Sequence, residues 1–144
     1  MKKMLLFAMA AAGFTSATAS SAQAQSAQIA IRAVYDATGA GEYTDGKTST
    51  TYAYTSPPVH VIYDEYFVGG RNRIYRLGGQ QVFLSSTNTN LCGSDFHVYR
   101  SGETVTGFRN DVNLGQLGNG RTFYIQDTSA YYPYPTGSAQ IVIR

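Results

Sequence analysis

Beyond residue 24, apolar and polar residues alternate with a period of two over several short stretches, and no stretch keeps a helical period. The alternation is clearest in residues 26–35, where Ile29, Ile31, Ala33 and Tyr35 fall on one face. A half-buried strand has this pattern because successive side chains point to opposite sides of a sheet. The sequence therefore predicts an all-β fold that opens with a strand at residues 26–35.

Residues 59–85 contain three apolar runs joined by Gly-Gly pairs at positions 69–70 and 78–79. Glycine readily adopts the positive φ that two-residue hairpin turns require, so this stretch predicts a three-stranded antiparallel meander. In the predicted register Val68 faces Arg71 across the first turn, and Tyr75 faces Val82 across the second. The core face of the meander is predicted to carry Ile62, Val68, Tyr75, Leu77, Val82 and Leu84.

The same register predicts arginine side chains packed on tyrosine rings, because it places Tyr66 opposite Arg73 and Tyr63 opposite Arg76. The neighbouring carboxylates at positions 64 and 65 are adjacent in the chain. Adjacent strand residues point to opposite faces, so the sequence does not predict a paired acid and base here.

A further hairpin is predicted over residues 96–108, with Val98 opposite Val105 and Arg100 opposite Glu103. Other strands are predicted at residues 48–54, 121–126 and 139–144, and loops at 36–47, 86–95, 109–120 and 127–138, where Gly, Pro and polar residues cluster. A turn is expected at positions 45–46 within the first of these loops. Together these predictions give about eight strands in a single antiparallel β-sandwich or small β-barrel.

Residues 1–24 are predicted to be a cleaved signal peptide. Lys2 and Lys3 precede an apolar run at residues 4–12 that is too short to span a bilayer, and a small-residue cleavage motif follows at 22–24. This leaves one all-β domain at residues 25–144 with no integral membrane segment. We therefore expect an exported protein that is periplasmic or extracellular.

The charge of the predicted mature domain is balanced. The chain has 11 basic and 9 acidic residues, and removal of Lys2 and Lys3 with the leader leaves nine of each sign. A domain without excess positive charge lacks the usual electrostatic basis for binding nucleic acid, so no nucleic-acid partner is expected.

Cys92 is the only cysteine, which excludes an intrachain disulfide. A buried apolar role is expected for it, and the alternatives are an intermolecular disulfide or a reactive thiol. A thiol nucleophile with His97 as its base would need a family signature that the segment lacks. His60 and His97 are the only histidines, which excludes a histidine-rich metal site.

A glycine-rich loop carries three acidic residues: Asp36, Glu42 and Asp45. Loop carboxylates can bind calcium, but the spacing matches no EF-hand and is typical of ordinary turns. No catalytic, cofactor-binding or metal-binding residue is predicted, and we expect a protein that is not an enzyme and needs no cofactor.

The two ends of the predicted domain are nearly identical. Residues 26–32 and 138–144 differ only at Ala30, which corresponds to Val142. Two strands with similar burial, neighbours in one sheet, would explain the match. The alternative is that the two segments occupy equivalent positions in neighbouring subunits, which predicts self-association through Ile29, Ile31, Ile141 and Ile143.

Residues 131–135 read Tyr-Tyr-Pro-Tyr-Pro. Proline stiffens such a loop, so Tyr131, Tyr132 and Tyr134 could form an aromatic platform for a protein or a glycan. The alternative is a loop that folds back and closes one end of the domain.

These observations predict an exported, non-enzymatic β-domain with a structural or interaction role, either a self-associating surface subunit or a binding module. An inhibitor of an extracellular hydrolase is the second hypothesis, and a small calcium- or glycan-binding domain is the third. The expected partners are a protein, a glycan or a second copy of the chain.

Overall fold

The computed structural model describes residues 28–66, 72–117, 120–130 and 134–144, which form ten β-strands and no helix. The strands are β1 (Gln28–Tyr35), β2 (Gly41–Tyr43), β3 (Val59–Tyr66), β4 (Ile74–Leu77), β5 (Gln80–Val82), β6 (Ser86–Cys92), β7 (His97–Val98), β8 (Val105–Gly115), β9 (Thr122–Thr128) and β10 (Thr136–Val142). The predicted all-β class is confirmed. Within these ranges nothing has the length and apolarity of a membrane-spanning helix.

The strands form two antiparallel sheets that share one core. The first sheet has six strands in the order β2-β1-β3-β8-β6-β7, and the second has four in the order β10-β9-β4-β5. The core is built from both sheets and contains Ile31, Val34, Tyr54, Val59, Val61, Tyr63, Tyr75, Val112, Leu114, Leu117, Phe123, Ile125, Ile141 and Ile143. The architecture therefore agrees with the predicted sandwich or small barrel, and it has ten described strands rather than about eight.

β1 is the strand that alternation predicted, but its alternation changes phase. A β-bulge lies between Ile31 and Ala33 where β1 pairs with β3. Because a bulge inserts one extra residue, the inward positions become Ile31 and Val34, and Ala33 and Tyr35 move to the outer face. The prediction that Ile31, Ala33 and Tyr35 share one face was wrong for this reason.

The predicted hairpin between β3 and β4 is wrong. β3 lies between β1 and β8 in the first sheet, whereas β4 pairs with β5 and β9 in the second. The predicted pairs Tyr66–Arg73 and Tyr63–Arg76 therefore do not form, and the predicted pair at positions 68 and 71 lies outside the described residues. Local glycine chemistry suggested a turn, but the partners of β3 are distant in sequence.

The assignment of faces in this region was correct for the second sheet and wrong for the first. Tyr75 is buried, and Leu77, Val82 and Leu84 pack against the core as predicted. Ile62 instead lies on the outer face, because Val59, Val61 and Tyr63 are the inward residues of β3.

The hairpin between β4 and β5 is confirmed. Gly78 and Gly79 both have positive φ, 58° and 84°, as a two-residue primed turn requires. Leu77 pairs with Gln80 and Tyr75 with Val82, which is the predicted register.

β1, β9 and β10 confirm the strands predicted at residues 26–35, 121–126 and 139–144, although their ends differ by up to three residues. The predicted loops at 86–95 and 109–120 are wrong, because β6 and most of β8 occupy them. The predicted strand at 48–54 is wrong as well, since this segment forms only an isolated bridge, Ser49 with Val142. In the hairpin predicted at 96–108, Val98 pairs with Leu91 instead of Val105.

Candidate binding site

An open cleft of about 400 Å³ lies on the outer face of the six-stranded sheet. Its floor comes from alternate residues of the central strand β3, Ile62 and Asp64, and from Ala33 of β1 beside them. The bulge in β1 brings Arg32 to this face, and antiparallel pairing places Arg109 of β8 opposite Asp64. The other lining residues are Tyr43, Asp45, Tyr66, Asp95 and Phe96.

Asp64 is the centre of this cleft and is only 1% exposed. Its Oδ1 accepts a hydrogen bond from Arg109 Nε at 2.8 Å, and its Oδ2 accepts from Arg109 Nη2 at 2.9 Å. Oδ2 also accepts from Tyr66 Oη at 2.9 Å and from Arg32 Nε at 3.0 Å. Burial alone would raise the pKa of Asp64, but hydrogen bonds from Arg109, Tyr66 and Arg32 lower it. The carboxylate is therefore held ionised.

The Arg32 guanidinium is bound on every nitrogen. Besides Asp64, it donates from Nη1 to Asp45 Oδ1 at 2.5 Å and from Nη2 to Tyr66 Oη at 2.5 Å. Its central carbon lies 5.8 Å from the centroid of the Tyr66 ring, within cation–π range. Arg32 and Arg109 are balanced by Asp64 and Asp45, so this network carries no formal net charge.

Aromatic side chains form the walls of the cleft. Phe96 packs on Tyr66 with ring centroids 3.8 Å apart, and Tyr43 is 81% exposed at the opposite side. Phe96 has a φ of 55°, which few residues other than glycine adopt. A strained backbone of this kind persists only where the surrounding structure enforces it, which marks Phe96 as a candidate functional residue.

A histidine clamp fixes the segment that carries Phe96. Asp95 Oδ1 lies 2.7 Å from His97 Nδ1, and both carboxylate oxygens of Glu103 lie 3.0 Å from His97 Nε2. Hydrogen bonds that the ring N–H groups of His97 donate to Asp95 and Glu103 raise the pKa of His97, because they favour its protonated form. Asp95, which lines the cleft, therefore shares the single positive charge of His97 with Glu103.

The comparison with protein families finds one described domain. The model described as "Domain of unknown function (DUF4879)" matches residues 22–143. The chain belongs to this family. No curated protein matches the chain. No solved structure matches it either.

In this DUF4879 domain a second polar cluster lies on the same outer face. Tyr35 stacks on His60 with ring centroids 4.7 Å apart, and Tyr35 Oη donates to Asp111 Oδ2 at 2.5 Å. His60 Nδ1 lies 2.8 Å from Asp111 Oδ1. Burial, followed by the hydrogen bond to Asp111, raises the pKa of Tyr35 to about 12. All three side chains are held in fixed positions.

A third polar group is buried between the sheets. Arg73 donates from Nη2 to Glu65 Oε2 at 3.0 Å and from Nε to Asp127 Oδ2 at 3.1 Å, and both carboxylates are fully buried. Glu65 Oε1 and Asn110 Oδ1 have no hydrogen-bond partner among the described residues. Burial raises the pKa of Glu65 to about 7, with Arg73 opposing the shift and Asp127 adding to it.

The residues predicted for self-association lie in the core. Ile31, Ile141 and Ile143 are buried core residues and Ile29 packs against them. β1 and β10 belong to different sheets but lie side by side, so the nearly identical ends of the domain meet within one chain. Their proposed role in association stays a prediction.

The predicted tyrosine platform falls mostly outside the described residues, which include neither Tyr131 nor Tyr132. Tyr134 is exposed and has a φ of 59°. The structure does not bring Tyr134 into the cleft around Asp64, and its role as a binding residue stays a prediction.

The structure shows the surroundings of Cys92 and of the three acidic residues in the glycine-rich loop. Cys92 is buried and pairs with His97 across β6 and β7, and burial raises the pKa of its thiol, which disfavours the nucleophilic thiolate. The three loop carboxylates bind separate protein donors: Thr38 for Asp36, Lys47 and residues 51–52 for Glu42, and Arg32 for Asp45. Over the described ranges, no three His, Cys, Asp or Glu side chains are grouped to hold a metal.

The sequence did not predict the cleft. The sequence predicts Asp64 and Tyr66 in a hairpin with β4, and Arg109 in a loop. A usable signal was present in residues 110–114, where Val112 and Leu114 alternate with polar residues as in a strand. Reading β8 from that alternation would have put Arg109 on a strand.

Proposed function

We propose that this domain is an exported, non-catalytic binding module, and that the cleft around Asp64 binds an uncharged, polyhydroxylated ligand such as a saccharide. The observation that carries the proposal is the Asp64 carboxylate with its four hydrogen bonds, which fixes two arginines and a tyrosine in an open cleft. Export is part of the proposal and rests on the predicted leader at residues 1–24.

The charge balance of the cleft favours a neutral ligand. An anion would face the carboxylates of Asp45, Asp64 and Asp95, and a cation would face two guanidinium groups that are already bound to Asp45 and Asp64. Hydroxyl groups both donate and accept hydrogen bonds, so they can pair with carboxylate oxygens and with guanidinium N–H groups in the same site. The exposed ring of Tyr43 and the half-buried ring of Phe96 offer apolar faces for the C–H side of a sugar.

Size and rigidity agree with this assignment. A volume of about 400 Å³ lies within the range of small-molecule sites. The polar side chains are already held by one another, so binding would lose little side-chain entropy. Pre-organised polar groups beside aromatic rings are the elements that orient a ligand and give it specificity.

The test is binding of the chain from residue 25 to an array of neutral and charged glycans, followed by calorimetry on the sugars retained. We expect retention of neutral glycans. Tyr43→Ala and Arg109→Gln should each weaken binding by about tenfold, since each removes a contact worth about 1–2 kcal/mol. Retention of acidic glycans alone, or of none, would overturn the proposal.

Tyr52→Ala is the matched control for Tyr43→Ala. Both tyrosines are exposed, but Tyr52 does not line the cleft. We expect Tyr52→Ala to bind as the unaltered protein does. Equal loss of binding in both variants would show that exposed tyrosine surface, rather than the cleft, holds the ligand.

Self-association is a second proposal, supported by the edge of β1. β2 pairs only with Ala33–Tyr35, and β10 lies beside β1 without pairing to it, so the backbone of residues 28–30 on that side is paired with no strand among the described residues. An unpaired edge can accept a strand of a second copy. Size exclusion coupled to light scattering should show oligomers of the unaltered protein. Gln28→Lys should reduce the oligomeric fraction, whereas Gln80→Lys, a control in the exposed β4–β5 hairpin, should leave it unchanged. A monomer at all concentrations would refute it.

A further inference from the structure

The cleft around Asp64 and the cluster around Asp111 lie on one continuous strip of the outer face. Ile62 pairs with Ala33 on one side and with Asp111 on the other, and it also lines the cleft. His60 precedes Ile62 by two residues on β3 and therefore points to the same face. The strip thus runs along β3 from His60 to Tyr66.

Between the two clusters, the floor of the strip is formed by uncharged side chains that are small or half-buried. Ala33 is small, and Ile62 is half-buried between its two neighbours. On the far side of β8, exposed Thr87 and Thr89 of β6 pair with Asp111 and Arg109 and add hydroxyl groups along the margin. Polar groups therefore border an apolar floor over the length of the strip.

We infer that the two clusters are subsites of one groove and that the ligand is a linear, neutral, β-1,4-linked oligosaccharide lying along β3. This inference rests on the proposed function and names its ligand class. His60 and Asp64 are four positions apart on β3, a span of about 13 Å at ~3.3 Å per strand residue. A single sugar ring fills one subsite only, whereas several linked rings reach both.

The linkage follows from the length of the strip. β-1,4-linked pyranose chains are extended and flat, and an extended chain can follow the extended backbone of a strand. α-1,4-linked chains coil, so their successive rings leave the strip. Tyr35, stacked on His60 and bound to Asp111, gives the second subsite both an aromatic ring and fixed polar atoms.

The experiment measures affinity against ligand length by calorimetry. The probes are glucose with its β-1,4 oligomers and N-acetylglucosamine with its β-1,4 oligomers, from monosaccharide to hexamer, and the α-1,4 glucose series is the control. We expect at least one β-1,4 series to bind about tenfold or more tightly as a hexamer than as a monosaccharide, and the α-1,4 series to gain nothing.

Two variants locate the gain. Asp111→Asn and Tyr35→Phe should each weaken hexamer binding by about tenfold and so remove most of the gain in affinity from monosaccharide to hexamer. Tyr124→Phe is the control, because it removes a hydroxyl from the other sheet that also bonds a side chain, Gln126. Circular dichroism and the urea midpoint verify that each variant is folded.

The outcomes separate this inference from the proposed function. If monosaccharides bind and Tyr43→Ala weakens them, but hexamers of the β-1,4 series bind no better, the extended groove is wrong and the cleft stands. If the length gain is present but survives both Asp111→Asn and Tyr35→Phe, the second subsite is wrong. If neither neutral series binds, both inferences fall.

Discussion

Glu65→Gln tests the electrostatics of the buried core, because Glu65 is fully buried between an arginine and a second carboxylate. Arg73 is the only positive charge in this group and binds both Glu65 and Asp127. Ionised Glu65 therefore leaves one negative charge in excess, and its Oε1 has no partner among the described residues. Burial raises the pKa of Glu65 from the ordinary value of 4.5 to about 7, because the nearby Asp127 adds to the shift and Arg73 only partly opposes it.

The sign of the effect follows from linkage. Between pH 4.5 and 7 the folded chain holds a proton on Glu65 that the unfolded chain has released, so stability falls as the pH rises. At about 1.4 kcal/mol per pH unit, the rise in pKa corresponds to about 3 kcal/mol across this range. Glutamine keeps the shape and stays neutral, so Glu65→Gln should match the unaltered protein near pH 5 and exceed its stability by ~3 kcal/mol at pH 8.

Urea unfolding of the chain from residue 25, followed by circular dichroism at pH 5, 6, 7 and 8, measures this difference. His97 also has a raised pKa, so it contributes stability that is lost as the pH rises through that pKa. Both proteins share His97, and subtraction removes its contribution. A Glu65→Gln variant whose stability falls as steeply as that of the unaltered protein would refute the reasoning.

Three further changes test the fold. Ile125→Ala should lower the free energy of unfolding by about 2–5 kcal/mol in urea titrations, because Ile125 is fully buried in the shared core. Burial raises the pKa of Glu42, but hydrogen bonds from Lys47 and from the N–H groups of residues 51–52 overcome this and lower it to about 2. Stability from Glu42 should be lost as the pH falls from about 4.5 towards 2, and acid titration of Glu42→Gln by circular dichroism should show a shallower loss. Gly107→Ala should cost about 1–3 kcal/mol, because its Cβ would meet the Glu65 carbonyl oxygen at 2.4 Å; unchanged thermal unfolding would contradict this.

Local patterns predicted the elements whose partners are close in sequence. The β4–β5 hairpin followed from Gly78 and Gly79, and β1 followed from its alternation. The partners of β3 are about 30 residues before it and about 50 after it, and no local signal specifies them. β3 also buries Asp64 and Glu65 on opposite faces, so polarity could not identify its core side.

The cleft could not be predicted from the sequence for the same reason, because its residues come from strands that are far apart in the chain. Its central hydrogen bonds join Asp64 to Arg32 and Arg109, which are 32 and 45 residues away. The bulge that exposes Arg32 depends on how β1 pairs with β3. The polar strand β6 was also missed, because backbone pairing with β8 requires no apolar side chains.

The most direct test of the binding proposal is an NMR titration that locates the ligand on the assigned chain from residue 25. The probe is the β-1,4-linked glucose or N-acetylglucosamine oligomer that binds more tightly in calorimetry. The account predicts amide shift changes concentrated at Asp64, Phe96 and Arg109, and their loss in Arg109→Gln. Changes confined to residues 131–135, or no changes at millimolar ligand, would contradict it.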